Sequence, residues 1–83
     1  IAGAREIGFS DEEAKKLVER TLVGSAVLLE KSPLSADELR IAVSSPGGTT
    51  LAALDVFEKS GFRKTVADAL KAAEKRSKEL SKL

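Results

Sequence analysis

Cysteine, histidine and tyrosine are absent from the 83 residues, and the aromatic content is three phenylalanines. Each absence removes a class of chemistry. Without cysteine no disulfide can staple so short a chain, and no thiolate zinc site can form. Without histidine the commonest metal ligand and the commonest general base near neutral pH both disappear, so no metal centre is expected. The longest apolar runs are four or five residues, which excludes a transmembrane span and any membrane partner that needs one. No signal-peptide pattern opens the chain. A net charge of +1 argues against strong bulk attraction to nucleic acid.

What remains is a chain rich in aliphatic and charged residues, long enough for one domain. A monomer of this size buries only roughly 60 to 65% of the surface its unfolded form exposes, so its core would be marginal. The chain starts at Ile1, and "IAGAREIG" reads as the tail of a helix already under way, which points to a piece of a longer protein. The charge is uneven. From residue 63 onward seven basic residues face three acidic ones, leaving that stretch near +4 and the rest near −3. Basic residues favour the negative end of a helix dipole, and no aromatic interleaves them, so a solvated helix face explains the pattern better than a nucleic-acid stripe.

Apolar periodicity near 3.6 runs through most of the chain, and no strand pattern or repeat interrupts it. Gly8 suits the end of the first helix. Ser10 and Glu13 have the spacing of a capping box, with Asp11, Glu12 and Glu13 at the positive end of the dipole. The following helix carries Ala14, Leu17, Val18, Thr21, Leu22, Ser25, Leu28 and Leu29 on one stripe. Gly24 sits mid-helix, where it costs about 1 kcal/mol relative to Ala. Pro33 ends this helix. Ser35 and Glu38 form a second capping box before a short helix from Ala36 to about Val43. Thr49 or Thr50 opens a helix with Leu51, Leu54, Val56 and Phe57 on its inner face, and Gly61 ends it. A final long helix, from Phe62 or Arg63 to about Lys82, lines up Phe62, Val66, Ala69, Leu70, Ala73, Ser77 and Leu80. The expected fold is therefore an all-α domain of about five helices, two of them long, over residues 1–83. Long helices with small-residue stripes bury little area within one chain, so an intertwined homodimer is the expected way to complete the core.

The stretch "SSPGGTT", residues 44–50, holds the candidate site. Pro46 stiffens the loop. Gly47 and Gly48 let a ligand approach the backbone. A helix beginning at Thr49 or Thr50 offers N–H groups that have no partner inside it, and the dipole favours an anion there. The loop is too short for a Walker A motif and lacks its Gly-Lys-Ser/Thr ending, and it has neither the preceding strand nor the spacing of a dinucleotide fingerprint. Two readings fit these residues: a plain helix–helix turn with Thr as N-cap, or a site for a small carboxylate or phosphate.

Taken together, "ELRIAVSSPGGTTLAAL" and "FEKSGFRKTVADALKAAEKRSKEL" resemble the C-terminal domain of the pyrroline-5-carboxylate reductases. The matching features are the Ser45–Thr50 loop, Gly61-Phe62-Arg63 and the Arg76-Ser77-Lys78-Glu79-Leu80 stretch. Ala36 departs from the proline often found there, at a helix start remote from the site. The resemblance implies a cytoplasmic oxidoreductase of proline biosynthesis that reduces Δ1-pyrroline-5-carboxylate to L-proline with NADPH or NADH. It implies that the cofactor lies on an N-terminal Rossmann domain absent from these residues, so no cofactor is expected here and the 83 residues alone should be inactive. It implies a homodimer through interlocked helices, with dimers of some members assembling further. It also implies that the substrate carboxylate is held by Ser45, Gly47, Gly48, Thr49 and Thr50, through free amides at Gly48, Thr49 and Thr50 and the Ser45 hydroxyl, with the Thr50 hydroxyl facing the ring nitrogen as the catalytic group. A non-enzymatic helical homodimerisation module is the alternative that the helices by themselves allow.

Overall fold

The computed structural model describes all 83 residues as five α-helices joined by short turns: α1 (Ala2–Glu6), α2 (Asp11–Lys31), α3 (Ala36–Ala42), α4 (Thr49–Lys59) and α5 (Phe62–Leu80). No residue is in a strand, and no helix is long and apolar enough to cross a membrane. The chain divides into two units, residues 1–42 and residues 43–83.

In the first unit, α1 ends in a Schellman motif. Gly8 takes φ 111°, its N–H donates to the Arg5 carbonyl at 3.0 Å, and the Phe9 N–H donates to the Ala4 carbonyl at 3.2 Å. The turn brings α1 back against α2, where Ala14 is completely buried. Arg5 Nη1 lies 3.3 Å from Asp11 Oδ1 across the same turn. The Ser10 box is complete: Ser10 Oγ accepts the Glu13 N–H at 3.2 Å, and Glu13 Oε1 accepts the Ser10 N–H at 3.0 Å. Two of the orphan donors at the helix start are thereby satisfied, and α2 runs for 21 residues, about 31 Å. Thr21, on the apolar stripe, donates its hydroxyl to the Leu17 carbonyl at 2.7 Å, so it brings no unmet polar group to that face. Nothing within the chain lies within 4 Å of where a Gly24 side chain would stand. Ser32 turns to an extended conformation (φ −78°, ψ 143°), as the residue before proline must, and α2 stops. The second box repeats the first at α3, with Ser35 and Glu38 bonded reciprocally at 3.1 and 3.0 Å. α3 ends at Ala42, one residue short of the expected limit.

In the second unit, α4 and α5 form a hairpin. Gly61, at φ 77°, supplies the left-handed step that reverses the chain. Its N–H donates to the Glu58 carbonyl at 3.2 Å, and its own carbonyl accepts the Thr65 N–H at 3.0 Å, so one residue ends α4 and starts α5. The Phe57 and Phe62 rings meet at 4.8 Å with a 46° tilt, and Arg63 pairs with Glu58 at 2.7 Å. Of the predicted inner face of α4, Leu54 is half-buried, while Val56 is 66% exposed. Three of the six basic residues of α5 pair along its own surface: Lys64 with Asp68, Arg76 with Glu79 and Lys78 with Glu74.

Burial is slight throughout. Ala14 is the one buried hydrophobic residue, and twenty large apolar residues are exposed, among them Leu22 (70%) and Leu70 (67%). The helices are thus held by caps and backbone bonds, with their stripes uncovered.

The capping boxes make stability pH-dependent. The bond from the Ser10 backbone N–H, then that from its side chain, holds the Glu13 carboxyl below its ordinary value, and Ser35 does the same for Glu38. A depressed carboxylate pKa favours the folded state above the ordinary carboxylate range, and the contribution is lost as pH falls through the lowered value. The paired substitution Glu13→Gln and Glu38→Gln should therefore shrink the fall in thermal midpoint between neutral and strongly acid pH, measured at fixed protomer concentration. A fall equal to that of the unsubstituted chain would remove both boxes from the pH response. Ser10→Ala should cost about 1 kcal/mol at neutral pH in a denaturant titration.

Candidate functional site in the Ser45–Thr50 loop

The loop between α3 and α4 is a four-residue turn. The Gly48 N–H donates to the Ser45 carbonyl at 2.9 Å, Pro46 occupies the first corner and Gly47 the second, with φ 72°. Proline at the first corner and a left-handed glycine at the second are the marks of a type II turn. Gly48 then serves as N-cap of α4 with φ −83° and ψ 172°, and it makes no side-chain cap. Its carbonyl accepts the Ala52 N–H at 3.2 Å, the first bond of the helix.

Two expectations change here. Neither threonine is the N-cap: Thr49 is the first helical residue, because the turn delivers Gly48 in the extended conformation that an N-cap requires. The Gly48 amide is not free either, since closing the turn uses it. The open donors are displaced by one residue. The amides of Thr49, Thr50 and Leu51 have no acceptor within the chain. The sequence does not single out the Leu51 amide, because spacing alone allows the helix to start at Thr49 or at Thr50. Counting three residues from a Gly48 N-cap would have found it.

The hydroxyls of Ser45, Thr49 and Thr50 are exposed and make no hydrogen bond within the chain. At the starts of α2 and α3, by contrast, a serine hydroxyl and a glutamate close the end. The first turn of α4 contains no acidic residue. No lysine or arginine lies between residues 44 and 51. An anion here would meet three helix amides, the positive end of an 11-residue helix and neutral hydroxyls. Such a set suits a small carboxylate. No group of three or more potential metal-binding side chains occurs among the residues.

Residues 1–80 match the protein family described as pyrroline-5-carboxylate reductase dimerisation. The chain is 42% identical over 69 residues to the pyrroline-5-carboxylate reductase of Synechocystis, covering 83% of this chain and 26% of that protein. It is 40% identical over 79 residues to the Arabidopsis thaliana reductase, covering 95% of this chain and 29% of that one. Among solved structures, the crystal structure of Plasmodium falciparum pyrroline carboxylate reductase with NADP bound superposes with a TM-score of 0.80 at 39% identity, over 87% of this chain and 27% of that one. An all-helical fold of this kind, matched over nearly its whole length by a family described by dimerisation, is that of an oligomerisation domain. The chain belongs to the pyrroline-5-carboxylate reductase dimerisation family. It spans between about a quarter and a third of the length of the curated relatives it matches.

The turn geometry can be tested through Gly47. Its left-handed φ costs an ordinary residue about 1 to 2 kcal/mol, and nothing within 4 Å would obstruct a side chain. Gly47→Ala should therefore lower the unfolding free energy by that amount, and Gly47→Asn by less, because asparagine visits this region more readily. Equal losses in a denaturant titration would argue against a type II turn.

Proposed function

We propose that these residues form the dimerisation and substrate-holding part of a pyrroline-5-carboxylate reductase, which reduces Δ1-pyrroline-5-carboxylate to L-proline in proline biosynthesis. The observation that carries the reading is the set of open amides at Thr49, Thr50 and Leu51, in a chain whose relatives bear that enzyme's name. In this reading the substrate carboxylate lies across those amides and accepts a further hydrogen bond from the Ser45 hydroxyl. Gly47 and Gly48 shape the approach, and the Gly48 N–H, engaged in the turn, does not donate. The Thr50 hydroxyl reaches the ring nitrogen of the imine, orients it and relays a proton to it from water. Threonine is too weak an acid at neutral pH to supply that proton outright. With no histidine, cysteine or tyrosine in the chain, placement is what this part contributes.

The hydride in such a reaction comes from a nicotinamide cofactor, and the Plasmodium falciparum relative is described with NADP bound. The residues here do not fit that group: no strand leads into the glycine loop, and the Gly-x-Gly-x-x-Gly spacing is missing. We assign the cofactor to another part of the parent protein. A cytoplasmic location belongs to the same reading and rests on the family alone.

The uncovered apolar faces support a second copy of the chain as partner. Burying a large apolar side chain fully is worth about 1.5 to 3 kcal/mol, and twenty such residues are exposed. Further assembly of such dimers belongs to the same reading. The isolated 83 residues should sediment as a dimer at micromolar concentration and show no reductase activity. A folded monomer at high micromolar concentration would sink the dimer claim. In the full-length enzyme, Thr50→Ala should lower turnover at least tenfold, about 1.4 kcal/mol of barrier. Unchanged turnover and Michaelis constant would remove Thr50 from the chemistry.

A further inference from the structure

We propose that Gly48 is a positioning residue: its missing side chain keeps the Ser45 hydroxyl where it and the α4 amides can share one carboxylate. The inference rests on reading the loop as the carboxylate site, and it gives Gly48 a role other than donor. The Gly48 N–H is already engaged with the Ser45 carbonyl at 2.9 Å. A β-carbon at Gly48 would stand 3.1 Å from that same carbonyl oxygen and 3.4 Å from the Ser45 β-carbon. The backbone of Gly48, at φ −83° and ψ 172°, is one that alanine adopts freely, so torsion does not call for glycine there, whereas the nearness of Ser45 does. The two glycines thus differ in kind. Gly47 is needed for its torsion and has open space around it, whereas Gly48 is needed for closeness.

An added methyl group would push Ser45 away by a few tenths of an ångström. The carbonyl cannot retreat without lengthening the turn's own hydrogen bond. The Ser45 β-carbon carries the hydroxyl, so the hydroxyl moves with it. The amides of Thr49, Thr50 and Leu51 stay with the helix. The result is a mismatch between the two halves of the site, with the fold preserved. Such a change weakens ground-state and transition-state binding of the carboxylate alike, so it should appear in KM rather than kcat.

The test uses the full-length enzyme in a cycle of Gly48→Ala, Ser45→Ala and the double variant, with pyrroline-5-carboxylate as the varied substrate. Gly48→Ala should raise KM for pyrroline-5-carboxylate about fivefold, with kcat and the KM for the nicotinamide cofactor within about twofold of wild type. In the Ser45→Ala background it should add less than about twofold, because the group it displaces is already gone. The inference is overturned if Gly48→Ala leaves KM unchanged, lowers kcat instead, raises KM in full on the Ser45→Ala background, or yields an insoluble chain. If Ser45→Ala raises KM while Gly48→Ala does not, the positioning role fails and the carboxylate site stands. If Ser45→Ala has no effect, the Ser45 part of the site fails and the positioning role with it.

Discussion

The constraint on which this structure depends is apolar surface that one chain leaves uncovered. Each long helix carries a continuous stripe, from Leu17 through Leu28 and Leu29 on α2 and from Phe62 through Leu80 on α5, yet Ala14 is the only hydrophobic residue wholly out of water. A domain's net stability is about 5 to 15 kcal/mol. Half-burying twenty large apolar side chains would contribute on that scale or above it. The surface polar contacts cannot substitute. The ion pairs are exposed and weak, and the caps contribute about 1 kcal/mol each. A chain built this way needs a partner for its interior, which fits membership of a family described by dimerisation.

Against that background, local devices place the helices before any core exists. The Schellman motif at Gly8 and the box at Ser10 set the angle at which α1 returns to α2. Gly61 and the Phe57–Phe62 pair set the hairpin of α4 and α5. Each is satisfied by residues close in sequence, so each can form at low entropic cost. The start of α4 contrasts with these in its capping. The chain closes the starts of α2 and α3 with serine and glutamate but opens α4 with glycine, leaving three amides and three hydroxyls unbonded. An uncapped helix start is less stable than a capped one. In the proposed reading, that modest loss is what leaves the amides open to a carboxylate without any charged side chain.

Much of this was legible in the residues. Both capping boxes, the stop at Pro33, the glycine reversals at Gly8 and Gly61 and the number of helices follow from short-range rules, because the groups that satisfy one another lie three to five positions apart. The periodic stripes also revealed which faces need covering. The resemblance carried by the Ser45–Thr50 loop and the Arg76–Leu80 stretch agrees with the family match over residues 1–80.

What the residues left open was the detail of the loop. From the sequence alone, a threonine, Thr49 or Thr50, is the expected N-cap, and the free amides follow from that choice. Only the folded turn decided it, because the 2.9 Å bond from Gly48 to Ser45 engages one donor and moves the open set to Thr49, Thr50 and Leu51. Likewise, two adjacent glycines look alike as letters. In three dimensions one answers to a torsion and the other to the nearness of Ser45. The sequence by itself determined the helices, most of their ends and the apolar stripes that need covering, since these depend on spacing along the chain. The tertiary structure decided which groups at the site are occupied and which are open, since that depends on distances across a turn that spacing does not specify.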